Sequence, residues 1–259
     1  MPHWLGFCRR RPSEKPLLTE DHLKIAKLCR DVYSVEVETE ESFVCSADTD
    51  TQATVTLDGT RAIVCVRGTD SSQDWKNNLN AGKVPFLTRK HKDRAKKVHV
   101  GFFIGHTSVK AKIYNKLNAM VQSGDCQSIL FCGHSAGGIC NLLAYDYLNT
   151  KNLPLEVVTF GSPKMGNKAF AEDFSQKIKA TRVVNDRDVV PLVPTSFMGF
   201  QHAGRLIHIK RHGAYEGESN RLRRLFWRLR GVFKTDVGVR DHDMSSYIDE
   251  IARCLKHVA

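Results

Sequence analysis

Apolar and polar positions alternate in blocks that change period along the chain. Residues 17–33, LLTEDHLKIAKLCRDVY, carry acidic side chains early and apolar ones at 25, 28, 29, 32 and 33, a spacing that predicts a helix. The β-branched runs ATVTL (53–57) and RAIVCV (61–66) flank Asp58–Gly59–Thr60 and predict a hairpin or two neighbouring strands. A polar and basic connection fills 69–98, and a connection of that length in a compact domain marks a functional lid or loop. FFIGHTSVKAKIYNKLNAMV (102–121) predicts a helix leading to the buried-strand run SILFC (128–132). Further on, Ile139, Leu142, Leu143 and Tyr147 share one helical face. LEVVTF (155–160), ATRVVN (180–185) and RLIHI (205–209) are three more strand runs, the first two separated by a helical segment over 167–178. Met244, Tyr247, Ile248, Ile251, Ala252 and Leu255 keep helical spacing to the end. Strands alternating with helices predict an α/β chain with one mainly parallel central sheet covered on both faces. No repeat or linker divides the 259 residues, so they read as a single domain with a helical extension over about 1–50.

Between the run ending at Cys132 and the helix beginning near Ile139 stands GHSAGG, with Ser135 framed by Gly133 and Gly137. Gly-x-Ser-x-Gly alone is a weak signal, because a glycine-rich turn has the same composition. Here a buried strand precedes it and an amphipathic helix follows, the strand–turn–helix setting of a nucleophile elbow. Small residues let the backbone turn sharply and lift the hydroxyl out of the sheet. The N–H of Ala136 then points at the same spot from a helix start, where partial positive charge favours an oxyanion. A serine nucleophile needs a base, and the base an orienting acid. In α/β-hydrolases these follow in the order Ser, Asp, His. Downstream, TRVVNDRDVVPLVP offers Asp186 and Asp188 just past a strand run, and DHDMSSY offers His242 at a helix start.

Taken together, VRGTDSSQDW, GHSAGG, VTFGSPKMGN, RVVNDRDVVPLVP and HDMSSY resemble the successive motifs of the class 3, fungal-type lipases of the α/β-hydrolase fold. The resemblance spans about residues 50–250, and five motifs in order are far more specific than any one of them. It implies Ser135 as nucleophile, His242 as base and Asp188 as the acid, since Asn185 and Pro191 set the register that selects Asp188 over Asp186. It also implies that Thr69 supplies an oxyanion-hole N–H beside that of Ala136. The activity so implied is hydrolysis of carboxylic esters of lipids, triacylglycerol or phospholipid, through an acyl-enzyme and without metal or cofactor. The segment QDWKNNLN sits where that family places its lid, and Trp75 and Leu79 give it only a thin apolar surface.

The remaining side chains add partners and compartment. His134 is expected to point away from the site, in packing or a hydrogen bond, while Asp241 and Asp243 are expected as helix-start caps and Asp186 as a turn residue. Asp70 is expected to hold the oxyanion loop. Thirty-nine Lys and Arg against 28 Asp and Glu give a net charge of +11, which favours an anionic surface. The stretch RKHKDRAKK (89–97) is a charge run whose default reading is a solvated loop. RLRRLFWRLRGVFK (221–234) places Leu222, Leu225, Phe226, Leu229 and Phe233 on one face, with Trp227 and arginines on the rest, as a membrane-surface helix does. A helix packed on the sheet with a basic outer face is the alternative. No nucleic-acid module accompanies the charge, so no specific nucleic-acid partner is expected. Cys65, Cys132 and Cys140 lie in apolar runs and no Cys/His spacing suits zinc, so free thiols are expected among the eight cysteines. With neither a secretory signal nor an apolar span evident, the expected location is cytoplasmic or peripheral to a membrane. The competing functions are a soluble short-chain carboxylesterase, or a basic membrane- or nucleic-acid-binding protein with a vestigial hydrolase site.

Overall fold

The computed structural model describes residues 17–34, 42–68, 82–88, 92–148, 153–217 and 240–256. Within them an eight-stranded sheet is built from β1 (Phe43–Ser46), β2 (Thr51–Asp58), β3 (Arg61–Val66), β6 (Ser128–His134), β7 (Leu155–Phe160), β8 (Lys179–Asn185), β9 (Arg205–Lys210) and β10 (Gly213–Glu216). These strands lie side by side in the order β1-β2-β3-β6-β7-β8-β9-β10. From β3 through β9 every pairing is parallel, and antiparallel strands close both edges. The other strands, β4 (Lys83–Pro85) and β5 (Lys97–His99), form a separate antiparallel pair.

Both faces of the parallel strands are covered, which is why β3 and β6 read as continuous apolar runs rather than alternating ones. On one face Val64, Val66 and Phe131 pack with Val109, Ile113 and Leu117 of α2 (Val100–Gln122) and with Leu142, Leu143 and Tyr145 of α3 (Cys140–Tyr147). The other face packs Ile63, Cys65, Leu130 and Cys132 against α1 (Glu20–Asp31) and α5 (Met244–Lys256), which also touch each other. The fourth helix, α4 (Lys168–Lys177), is capped by the Asn167 side chain, which accepts from Phe170 N at 3.1 Å. Truncating a fully buried side chain such as Phe131 removes both transfer energy and packing, about 3–5 kcal/mol.

Most of the expected elements stand where the apolar pattern put them. Four strands were not anticipated. β1 and β10 are four-residue edge strands, and β4 and β5 are three-residue strands inside or ending the basic connection 69–98. Strands this short give no periodic signal, and their pairing comes from what they meet across the fold. The helix after Ser135 also differs in its first turn, which is a 3-10 turn over Ser135–Ile139 before α3 begins.

Candidate active site

Ser135 follows His134, the last residue of β6, and opens the 3-10 turn. Its φ of 56° lies in the left-handed region that a side chain rarely adopts. The turn is tight enough to exclude a side chain two residues before the serine and two residues after it. A Cβ at Gly133 would come 2.3 Å from the Gly137 carbonyl oxygen, and one at Gly137 would come 2.2 Å from that of Val66. Glycine at both positions therefore lets three backbone segments touch, and Ser135 absorbs the resulting strain. Ala136 follows in the 3-10 turn. Gly68 belongs to the same packing, since a Cβ there would stand 3.1 Å from Ser135 Cβ and 2.7 Å from the His134 carbonyl oxygen. The strand end that leads into Thr69 thus passes directly against the serine.

Beyond the ends of β7 and β8 lies the second half of the site. His242 Nδ1 is 2.9 Å and 3.0 Å from the two oxygens of Asp188. A carboxylate only accepts, so Nδ1 carries the proton that it donates. The Asp188 side chain is fully buried and the His242 ring is 18% exposed. Two further donors support the buried carboxylate: Tyr247 OH donates to Oδ2 at 2.6 Å, and Val190 N donates to Oδ1 at 2.9 Å. Burial, and then the adjacent Asp188 charge, push the Tyr247 phenol well above its usual range, so it remains a donor. Gly161, at φ 57°, closes the cage, because a Cβ there would meet Asp188 Oδ2 at 2.6 Å and His242 Nδ1 at 2.9 Å.

His134 joins the two halves. Its Nε2 lies 2.8 Å from the His242 carbonyl oxygen, to which it donates, and its Nδ1 accepts from Tyr33 OH at 3.0 Å. The His134 and His242 rings are 4.5 Å apart between centroids. Burial, and then repulsion from His242, hold His134 well below the ordinary histidine range, so it works as a neutral link. Asn185 adds a second tether, donating to the Asp241 carbonyl at 3.1 Å and to Ser246 Oγ at 3.0 Å.

The structure thus brings Ser135, Ala136, Asp188 and His242 to one end of the sheet. Asp186 stands in an exposed turn with its carboxylate 3.4 Å from Arg187, as expected of a turn residue. Asp243 caps the start of α5, accepting from Ser245 N at 2.8 Å. Asp241 departs from the expected cap: its Oδ2 accepts from Arg187 N at 3.1 Å, joining the acid loop to the histidine loop. Tyr247, Tyr33 and Asn185 were not singled out as polar partners of the site. Tyr247 scores as one more apolar position on α5, and the only hint of another role is a phenol on a buried face, which must find an acceptor. His134 makes the hydrogen bond expected of it, but its ring does not point away from the site: it lies against that of His242. Thr69, Asp70, Trp75, Leu79, Leu225, Phe226, Trp227 and Leu229 lie outside the described residues. All seven described cysteines are free thiols.

Residues 63–198 match the family described as Lipase (class 3). A secreted mono- and diacylglycerol lipase 1 of Fusarium solani is 32% identical over 143 residues, 54% of this chain and 41% of that protein. A phospholipase A1-II 5 of Oryza sativa subsp. indica is 25% identical over 210 residues, 69% of this chain and 45% of that protein. The chain therefore spans less than half the length of these relatives. Among solved structures, the triacylglyceride lipase of Rhizomucor miehei superposes with a TM-score of 0.64 at 25% identity, covering 74% of this chain and 81% of that one. The expectation of a cytoplasmic or membrane-peripheral chain is corrected by these relatives, since the Fusarium protein is named as secreted. Among the described residues no helix is long and apolar enough to cross a membrane. An α/β-hydrolase fold, a Gly-x-Ser-x-Gly turn at its strand end and a family match covering more than half of the chain place this protein in the class 3 lipase family.

Proposed function

We propose that the protein is a serine-dependent carboxylic ester hydrolase, acting on acyl esters of glycerolipids through Ser135, His242 and Asp188. The observation that carries this reading is the pairing of a serine held at φ 56° on a strand end with a buried Asp188–His242 pair whose donors are accounted for. In the proposed reaction His242 Nε2 takes the proton from Ser135 as its oxygen attacks the ester carbonyl, then passes it to the leaving alcohol. Asp188 keeps the imidazole in the Nδ1–H tautomer and stabilises its cation. The N–H groups of Ala136 and Thr69 bind the oxyanion, each donor contributing about 2.7–4 kcal/mol. Water, activated by the same histidine, then releases the acyl group.

The substrate class follows from the relatives, whose names include mono- and diacylglycerol lipase and phospholipase A1. An anionic lipid surface is the proposed partner, supported by the net charge of +11 and by exposed Phe197 and Met198 beside Lys83, whose ammonium donates to the Met198 carbonyl. Residues 1–259 are taken as one catalytic domain, with an N-terminal extension over about 1–50.

A fluorophosphonate probe tests the core of the proposal, because it reacts with an activated serine whatever the natural substrate. Wild-type protein is expected to be labelled and Ser135→Ala not. Untreated wild-type protein should release fatty acid from phosphatidylglycerol vesicles and from mixed monoacyl- and diacylglycerol emulsions, and labelling by the probe should abolish that release. Labelling of the alanine variant would overturn the nucleophile. Turnover of p-nitrophenyl butyrate with none of either lipid would overturn the substrate class.

A further inference from the structure

Three of the free thiols meet at one point in the core, on the sheet face covered by α1 and α5. Cys29 comes from α1, Cys65 from β3 and Cys132 from β6, and Cys65 and Cys132 are direct partners in the parallel register. Their three sulfurs lie within 4.8 Å of one another, with Cys65 Sγ and Cys29 Sγ 3.7 Å apart. All three residues are buried, among Ile25, Ile63, Leu130 and Val158. We propose that Cys29, Cys65 and Cys132 form a three-thiolate site for a trivalent thiophilic ion of the arsenic(III) type.

The spacing, the donor set and the charge all bear on the choice of ion. Bonds of about 2.3 Å to a pyramidal ion place three sulfurs about 3.4–3.5 Å apart, so the 3.7 Å between Cys65 and Cys29 needs little adjustment, and the remaining separations, within 4.8 Å, close as the ion is taken up. Sulfur-only donors select soft ions over magnesium, calcium or manganese. Among the described residues the cluster has three members and no fourth ligand, which leaves a tetrahedral zinc site incomplete. The surroundings are apolar, and burying net charge there is costly. Three thiolates around copper(I) would carry two negative charges and around zinc one, whereas around a trivalent ion they carry none.

The reaction balances without a redox step. In arsenous acid three As–O bonds break and three As–S bonds form, and each thiol proton leaves with a hydroxide as water. Entry requires α1 to lift from the sheet, a local opening of the kind surface helices undergo. Once bound, the ion ties α1 to β3 and to β6, the strand that leads into Ser135.

Sodium arsenite added to the reduced full-length chain is the test. Expected are one arsenic per chain by native mass spectrometry, with a mass gain of arsenic less three hydrogens, and a rise in Tm of roughly 5–10 °C at hundredfold excess over Kd. Cys29→Ala, Cys65→Ala and Cys132→Ala should each abolish the shift, and Cys45→Ala and Cys254→Ala should keep it. X-ray absorption on the wild-type adduct supplies a readout that needs no variant. A first shell of three sulfurs supports the site, and a shell containing oxygen overturns it. No mass gain, or a shift that survives Cys132→Ala, overturns it equally.

Discussion

Gly161 offers the sharpest perturbation of the site, because its environment and its backbone can be separated. Its φ of 57° is matched by that of Gly59, at 58°, in the turn between β2 and β3. An alanine at either position carries the same left-handed backbone cost, about 1–2 kcal/mol. The two differ in what the added methyl group meets. At Gly59 nothing lies within 4 Å, whereas at Gly161 the Cβ comes 2.6 Å from Asp188 Oδ2, 2.9 Å from His242 Nδ1 and 3.0 Å from His242 Cε1. Those separations are too short to persist, so the carboxylate and the imidazole must recede by several tenths of an ångström. Asp188 is held by Tyr247 and Val190, and His242 by the His134 link at its carbonyl, so neither recedes freely. Since a displacement of about 1 Å costs about 10²-fold in rate, Gly161→Ala is expected to lower kcat/KM for a soluble p-nitrophenyl ester by about 10–10²-fold. Gly59→Ala should stay within about twofold of wild type, because it lies outside such features. Urea denaturation should show both variants destabilised by about 1–2 kcal/mol, with any further loss confined to Gly161→Ala. Equal activity in the two variants would refute the assignment of the Asp188–His242 pair as the proton-handling apparatus.

The other expectations are briefer. Asp188→Asn should cut kcat by about 10⁴-fold, through loss of the Nδ1–H tautomer, while Asp186→Asn leaves it unchanged; the reverse pattern would reassign the acid. Tyr247→Phe removes a 2.6 Å bond to a buried carboxylate and should lower stability by about 1.5–3 kcal/mol in urea titration, and no loss would show the bond to be redundant. Burial depresses both His134, where repulsion from His242 adds, and His106, so the unfolded chain takes up protons near pH 6.5 that the folded chain refuses. Stability present above that pH should therefore fall as pH drops below it, by up to about 1.4 kcal/mol per unit for each histidine, and a flat profile between pH 7 and 5 would contradict the burial argument. Phe197 is 93% exposed, and Phe197→Ser should reduce hydrolysis of vesicle lipid while sparing soluble esters; parallel loss on both would remove it from the lipid surface.

How much of the fold and the site was legible in the sequence depended on the range of the physics involved. Runs such as RAIVCV and SILFC announce strands because both of their faces are buried, and the elbow at Ser135 follows from its own neighbours. Order along the chain was enough to nominate His242, but register alone separated Asp188 from Asp186, and it is burial that physically distinguishes them: the Asp188 side chain is fully enclosed while that of Asp186 is 45% exposed. Tyr247 was legible as apolar and illegible as polar, since periodicity records which face a residue takes and not which acceptor waits there. Nor could spacing reveal the thiol cluster, because Cys29, Cys65 and Cys132 meet only once a helix and two strands are in place.

These particulars point to a division of labour between the two faces of the sheet. The face under α2 and α3 is filled with aliphatic and aromatic side chains, and its polar members, such as the buried His106 and Asp146, pair with each other 3.2 Å apart. On the opposite face, the helices that cover the sheet also hold the site. α5 carries Tyr247 to Asp188, and the turn following α1 carries Tyr33 to His134 and so to the His242 carbonyl. Since α1 packs against α5, a shift of either helix reaches both hydrogen-bond chains. The reacting end of the sheet therefore depends on how those two helices are seated. An ion binding Cys29 to β6 would act on that seating some distance from the substrate, through the strand that delivers the serine.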